Sequence, residues 1–486
     1  MILTCAQMKA AEEALFATGA EAEPLMDKAG LGCARAIHQF FPKPGNATLY
    51  IGKGHNGGDA AVIGRHLREA GWAVESRLVG ALEDLAPLTQ KKMAELDATP
   101  VPPVRNLENQ VHLQVDGLLG IGASGALRGS LAPLATEMNE NRRRGKAVTV
   151  AVDIPSGIDG DSGEPYDGAV MADFTLTIAH TKAGLVADAA IDHVGRLALI
   201  PLPEIVANAG DPSRTSLHAP DLTFKMAPAA FSTHKGRAGR VSIIAGSPGF
   251  AGAAVLCGLG ALRAGGGLVS IFCDSDVLPL VAAKAPPEIM VRHLATEIDR
   301  DAIAIGPGLG ADPPSQLIDL IWNDPSPMVV DADALNAVAR NRDRMDELPP
   351  NRLFTPHPGE MRRLAPDLEG NRGEIANAFV ERYGLKLLFK GARTAIAAPN
   401  RPLALNTTGN PGMASGGMGD VLTGVCAALA ARGIDLYDAA CLGSWLLGRS
   451  AEILVWERGY APEGVSAGLV AETLPFAVAS LRRQDF

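Results

Sequence analysis

Asp420 ends a run, Asn410-Pro411-Gly412-Met413-Ala414-Ser415-Gly416-Gly417-Met418-Gly419-Asp420, that leads into the helical pattern VLTGVCAALAARG. Glycines let backbone approach an anion closely, and a helix N-terminus aims N–H groups at it. A carboxylate there either caps the helix or takes a proton from an attacking hydroxyl. So dense a glycine run favours the second role. Lys390-Gly391-Ala392-Arg393-Thr394 follows the apolar segment LKLLF and offers two cations and a hydroxyl to phosphates, or else forms a solvated turn. His357 is held between Pro356 and Pro358 at another expected strand end, and Gly306-Pro307-Gly308-Leu309-Gly310 marks a further one. Proline fixes φ, so the histidine is set up for presentation.

The first half carries a second set of candidates. Gly52-Lys53-Gly54-His55-Asn56-Gly57 fits the G-x-G-x-x-G spacing between a strand and a helix, with Glu75 near the end of the next expected strand. That is a dinucleotide fingerprint. Gly58-Asp59 complicates it, because Asp59 at the helix start would cap the helix and oppose a pyrophosphate. The loop is therefore read as cradling a hydroxyl-rich or cation-bridged group. Gly120-Ile121-Gly122-Ala123-Ser124-Gly125 repeats the spacing and Asp153-Ile154-Pro155-Ser156-Gly157-Ile158-Asp159 follows the strand pattern AVTVAV. The first alone is equally plain turn geometry, and for the second alone the turn reading is favoured. Together, Asn56, Asp116 and Ser156 supply oxygens that suit a weakly bound hard cation better than zinc.

These loops need a scaffold that ends many strands at one edge. Helical patterns at 6–18 and 24–40 precede alternating segments at 47–51, 60–70, 73–79, 85–96, 112–119, 147–153 and 173–178. Strand and helix in alternation imply a parallel sheet covered on both faces. The pattern lapses across 201–228, which holds five prolines and is read as a domain boundary. A second series then runs through VSIIAG, LVSIFCD, DAIAIGPGLG, PMVVDADAL, RLFTPHPGE and LKLLFKGART, closing with long helical patterns after about residue 419. The expected class is α/β with two three-layer αβα domains.

Composition narrows the function. The 486 residues include 54 glycines and 34 prolines, and 47% are apolar, which excludes a largely disordered chain or a coiled coil. With 44 basic against 54 acidic residues, nucleic acid and anionic membranes are poor partners. Cys5, Cys33, Cys257, Cys273, Cys426 and Cys441 are scattered singly and read as buried, reduced thiols of a cytoplasmic protein. No secretory signal or membrane-spanning run is expected. Gly464-Val465-Ser466-Ala467-Gly468 fits G-x-S-x-G, but WERGYAPE before it is no strand, so a helix entry is expected.

Taken as a set, G-x-G-x-N-G-G-D, D-x-L-x-G-x-G and V-D-I-P-S-G-I-D resemble the epimerase module of the NAD(P)H-hydrate repair enzymes, over residues 1–215. GSPGFAGAA, AIGPGLG, VVDADALN, TPHPGE, FKGART and GNPGMASGGMGD resemble the ADP-dependent dehydratase module of the same enzymes, over 225–486. The resemblance implies a Rossmann-like first domain and a ribokinase-like second. It implies potassium on Asn56, Asp116 and Ser156. The hydrated nucleotide would meet His55, Asn56, Gly57, Gly58 and Asp59, then Gly120, Ile121, Gly122, Ala123, Ser124, Gly125 and Ala126, with Asp153 as the proton-handling group. His55 departs from the family, which usually has asparagine there. In the second module Ala253, Gly308, His357 and Asp420 would meet the hydrate, while Lys390, Gly391, Ala392, Arg393, Thr394 and Gly419 would hold ADP. Asp420 is the implied base. ADP or ATP as donor, magnesium, hydrated NADH or NADPH as substrate and a homo-oligomeric assembly complete the expectation. Two rivals stay open: a small-alcohol kinase of thiazole or pyridine type on the same scaffold, and a first half that is a dehydrogenase or a bare nucleotide-binding module.

Overall fold

The computed structural model describes residues 1–101, 111–207, 210–296 and 298–486. Within the expected boundary stretch, residues 208–209 lie outside the described residues. The chain divides into two compact units, Met1–Ser216 and Leu217–Asp485. The stretch after 216, expected to link domains, instead enters the second unit's core. Leu217, Ala219, Leu222 and Met226 are all buried there. Prolines masked the signal, because a short apolar run needs no helical period to pack.

The first unit holds six parallel strands: β1 (Asn46–Ile51), β2 (Ala73–Leu78), β3 (His112–Gly117), β4 (Val148–Val152), β5 (Phe174–Ile178) and β6 (Arg196–Ile200). They lie in the order β2-β1-β3-β4-β5-β6. β1 is buried from its second residue to its last, the pattern of a strand covered on both faces. The order reverses between β1 and β3, and in open parallel sheets ligands bind at the carboxyl ends beside such a reversal. The loops starting at Gly52 and Leu118 leave those two strands. Helices α1 (Cys5–Ala17), α2 (Ala22–Phe40), α3 (His55–Glu69) and α4 (Leu131–Arg143) complete what bears on the site. A separate short pair, Ile2–Leu3 with Thr181–Lys182, fixes the chain beyond β5.

In the second unit the strands from Arg240 onward are β7 (Arg240–Ile244), β8 (Leu268–Cys273), β9 (Ile289–His293), β10 (Ala302–Ile305), β11 (Met328–Val330), β12 (Arg352–Phe354), β13 (Lys386–Phe389), β14 (Ala395–Ala397) and β15 (Leu403–Asn406). Their order is β9-β8-β7-β10-β11-β12-β13-β14-β15, parallel as far as β13 and antiparallel after it. Again the reversal, here between β7 and β10, marks where a ligand would enter. The main helices are α5 (Ala251–Arg263), α6 (Ala332–Arg340), α7 (Pro358–Leu364), α8 (Met418–Ala431), α9 (Leu436–Glu452) and α10 (Ala467–Arg483).

α5 and α8 pack backbone to backbone. A Cβ on Gly424 would stand 1.9 Å from the carbonyl oxygen of Cys257, and one on Gly260 would stand 2.3 Å from that of Val421. No side chain fits at either glycine, so this crossing fixes the N-terminus of α8. Around it, Val421, Val425, Cys426 and Leu429 are fully buried. At about 1.5–3 kcal/mol for each large apolar side chain buried, this contact is a main support of the unit.

Candidate functional site

α8 starts at Gly417, whose φ of +91° is the left-handed conformation open to glycine, and no side chain caps the helix. Asp420 sits in the first turn and makes no hydrogen bond among the described residues, so the capping role does not apply. Burial, reinforced by Asp331, raises its carboxyl to about 6, against the pull of Lys390. A half-buried, unpartnered carboxylate titrating near neutrality beside free helix amides has the character of a general base.

Lys390, at the end of β13, reaches this helix start. A Cβ on Gly419 would lie 3.1 Å from its Nζ. The ammonium donates to Asp331 Oδ1 at 2.7 Å and stands 3.8 Å from Glu360 Oε2. Burial works against its charge, but Asp331 and Glu360 outweigh that and raise it. Burial pushes the Glu360 carboxyl up, and Asp331 adds to that while Lys390 opposes it. Thr423, one turn into α8, donates to Asp331 Oδ2 at 2.8 Å, which ties the helix start to the end of β11. The next residue, Ala332, has φ of +49°, a conformation that costs a non-glycine residue about 1–3 kcal/mol and clusters at functional sites.

The remaining expected residues divide. Ala253 and Gly308 meet: a Cβ on Gly308 would stand 3.0 Å from that of Ala253. His357 caps α7, its Nδ1 accepting from Gly359 N at 2.9 Å, which leaves Nε2 3.5 Å from Glu360 Oε1. The proline-set backbone thus serves a helix cap. Thr394 Oγ1 donates to Gly391 O at 2.9 Å and closes its own turn. Arg393 is 3% exposed. Of the strand end expected to offer two cations and a hydroxyl, Lys390 is the group that meets the glycine run, at Gly419.

In the first unit, two of the three expected cation ligands, Asn56 and Ser156, meet at Leu119, and the third, Asp116, joins through Ser156. Asn56 Nδ2 donates to Leu119 O at 2.9 Å, and Leu119 N donates to Ser156 Oγ at 2.9 Å. Ser156 Oγ in turn donates to Asp116 Oδ1 at 2.7 Å, and Ser156 N to Oδ2 at 2.8 Å. Asp116 is wholly buried, and that burial raises its carboxyl to about 6 despite these bonds. The donors are all oxygen, and among the described residues no cluster of His, Cys, Asp and Glu suits a transition metal. Such a donor set suits a hard cation better than zinc. Beside it Leu119, Gly120, Ala123, Pro155, Gly157 and Tyr166 line a narrow cleft. Gly122, Ala123, Ser124 and Ala126 are exposed around it, as is His55.

Two expectations need correction here. α3 begins at His55 with Gly54 as its N-cap, so Asp59 lies in the second turn and caps nothing. Burial, then the charge of Asp153, pushes the Asp59 carboxyl well up. Glu75 lies in the first half of β2 and accepts from Thr48 Oγ1 at 3.0 Å, away from the strand end where a ribose would sit. The dehydrogenase reading loses its acidic residue.

Asp153 has φ of +64° and every described hydrogen bond to it ends on Oδ1. Ile178 N donates at 2.9 Å, and the fully buried Lys182 donates its ammonium to the same oxygen. Oδ2 is left for a proton. Lys182 escaped the sequence reading, although a lysine following the apolar strand FTLTI was a signal. Glu12 adds a third carboxyl, raised by burial and by Asp153.

The pattern of the NAD(P)H-hydrate dehydratase family matches residues 241–475, and that of the YjeF-related protein N-terminus matches 22–184. The bifunctional NAD(P)H-hydrate repair enzyme Nnr of Moorella thermoacetica is 35% identical over 95% of this chain and 93% of its own. The chain belongs to the bifunctional NAD(P)H-hydrate repair enzyme family. The Escherichia coli repair enzyme is 36% identical over 92% of this chain and 88% of its own. An ADP/ATP-dependent NAD(P)H-hydrate dehydratase of Bacillus subtilis, co-crystallised with ATP and Mg2+, shares 29% identity with a TM-score of 0.48, covering 54% of this chain and 97% of that one. As in the repair family, the units here are Rossmann-like and ribokinase-like. Among the described residues no helix is long and apolar enough to cross a membrane. All six cysteines are free, five of them buried and Cys5 only partly so.

Proposed function

We propose that the chain repairs hydrated NADH and NADPH, its first unit interconverting the two epimers at the hydroxyl-bearing ring carbon and its second removing water from one of them at the expense of ADP or ATP. The observation that carries the second step is Asp420: unpartnered, half-buried and raised to about 6 at an uncapped helix start facing Lys390. Hydroxide is a poor leaving group, since water has a pKa of about 15.7. Asp420 removes the hydroxyl proton as the hydroxyl oxygen takes the terminal phosphoryl group of ADP or ATP, whose phosphoanhydride bond breaks to release AMP or ADP, and the amides of 417–419 with Lys390 offset the charge on the group in flight. The carbon–oxygen bond then breaks, phosphate leaves, the neighbouring carbon loses a proton and the ring double bond returns.

For the first unit, Asp153 is the proton-handling residue, with Lys182 and Ile178 N engaging Oδ1 and leaving Oδ2 to take the proton. Asp59 and Glu12, whose carboxyls burial and the charge of Asp153 both raise, lie in its field. Asn56, Asp116 and Ser156 would hold potassium, whose charge would set the loops after β1, β3 and β4. Free thiols and the acidic net charge favour the cytoplasm as its place of action.

The test mixes the protein with both hydrate epimers, with and without ADP, and follows the absorbance of reduced nicotinamide. Full recovery only with nucleotide supports both steps. Recovery of half the material points to a single active unit, and accumulation of a phosphorylated alcohol would establish the kinase instead.

A further inference from the structure

An open cavity of about 760 Å3 lies along the second unit, within the range of small-ligand sites. One end is formed by Phe250 and Gly310. Phe250 adjoins the expected hydrate residues, because a Cβ on Gly308 would stand 2.8 Å from its Cβ. Gly310 N donates to Asp333 Oδ2 at 2.8 Å, so the only carboxylate lining the cavity is engaged. Its lining also carries Arg340, Arg342, Arg362 and Arg363.

Arginine in the last turn of a helix is commonly a response to the helix dipole. That explains Arg340 at the end of α6 and the pair in α7 one at a time, but not their convergence with Arg342 on one concavity. Their hydrogen bonds reach neutral oxygens: Arg340 to Ala311 O at 3.1 Å, Arg362 to Pro358 O at 3.4 Å and Arg363 to Asn336 Oδ1 at 2.8 Å. Among the described residues none of the four is in an ion pair. Asp367, whose field also involves Arg342, is taken by Arg382 at 2.8 Å. Four guanidinium groups with unspent donors, next to an exposed phenyl ring, form a site for phosphate oxygens and a stacked base.

Resting on the repair reading, we infer that this cavity holds the adenylate-side phosphates of the hydrated dinucleotide, while the hydrated ring reaches Gly308 and Asp420. The cavity thereby separates dinucleotide from mononucleotide substrates, and the 2′-phosphate of NADPH hydrate is the group best able to use the arginines beyond the pyrophosphate.

The experiment uses the full chain and the double variant R342Q/R362Q, both exposed positions, with thermal melting to check the fold. Dehydration is measured with the hydrates of NADPH, NADH and reduced nicotinamide mononucleotide. The expected result is a KM for NADPH hydrate raised about tenfold or more, with kcat and the KM for ADP unchanged and the mononucleotide unaffected. An equal rise for NADH hydrate assigns the arginines to the pyrophosphate; a rise confined to NADPH hydrate assigns them to the 2′-phosphate. Unchanged KM values for both dinucleotides, an equal rise with the mononucleotide, or a raised KM for ADP overturns the inference. Failure of the wild-type chain to dehydrate any hydrate with ADP sinks the repair reading itself, a separate outcome.

Discussion

Lys390 Nζ lies 2.7 Å from Asp331 Oδ1, and through that pair the end of β13 is tied to the end of β11 directly beneath the start of α8. The ammonium faces Glu360 as well, and its field reaches Asp420. One cation therefore balances a buried acidic group and also tunes the carboxylate proposed as base.

Removing it has two consequences. Lys390→Met leaves Asp331 and Glu360 without their buried counter-charge, a loss that costs about 3–5 kcal/mol in comparable pairs. In whatever protein folds, Asp420 loses an influence that lowers its carboxyl, so the acid limb of the dehydration profile moves to higher pH. Melting temperature and the profile of kcat against pH measure the two effects separately. An unmoved acid limb would mean that Lys390 does not act on Asp420.

Asp420 works as a base only when ionised. With its carboxyl at about 6, dehydration at saturating substrate halves near pH 6 and falls as pH drops further. Asp420→Asn abolishes that limb and lowers kcat by about 10²–10⁴-fold, with ADP binding by calorimetry retained. Wild-type turnover in this variant would remove Asp420 from the chemistry.

Epimerisation responds to a different pair. Lys182→Met takes the ammonium from Oδ1 of Asp153, which keeps its bond from Ile178 N, and leaves three carboxyls sharing a half-buried site without that cation. The interconversion rate drops about tenfold or more, and its pH dependence changes. Asp153→Asn, which keeps a residue tolerant of positive φ, loses interconversion without loss of fold. Dehydration of the reactive epimer is unchanged in both variants. Proton exchange followed by NMR on the separated epimers reads this directly.

Asp116 offers a test for the cation. Its folded-state carboxyl, at about 6, is raised above its ordinary value, so the folded chain holds a proton that the unfolded chain releases. That contribution to stability is full below pH ~4 and is lost as pH rises through about 6. Potassium favours the ionised form and offsets the loss. In choline chloride the melting temperature of the wild type falls relative to Asp116→Asn between about pH 4 and 7. In potassium chloride the gap narrows. Identical curves in the two salts would exclude a cation at this position.

Gly417→Ala tests the cradle. The new Cβ would lie 2.5 Å from Leu256 Cδ1 at a φ of +91°. The strain costs about 1–3 kcal/mol and tilts the first turn of α8, so dehydration falls while epimerisation continues. Equal loss of both activities would show general unfolding instead, which circular dichroism would confirm.

The alternation of short apolar runs with helical patterns was enough to reveal parallel sheets, because each strand of such a sheet is buried on both faces and carries its own signal. The glycine-rich ends of β1, β3 and the run before α8 were legible for the same reason: few residues tolerate those turns. β9, β14 and β15 were not read as strands, since they are short and lie near sheet margins where little period accumulates. Tertiary structure alone decided which charges meet. Lys182 finds Asp153 across 29 residues and Lys390 finds Asp331 across 59. It also moved Asp59 from a cap to the second turn of α3, and Glu75 from a strand end to the middle of an edge strand. The four arginines of the second unit look like separate helix-end charges along the chain. Only the folding of α6 and α7 against the Phe250 turn draws them onto one cavity, because charges interact through space and the sequence records only their order.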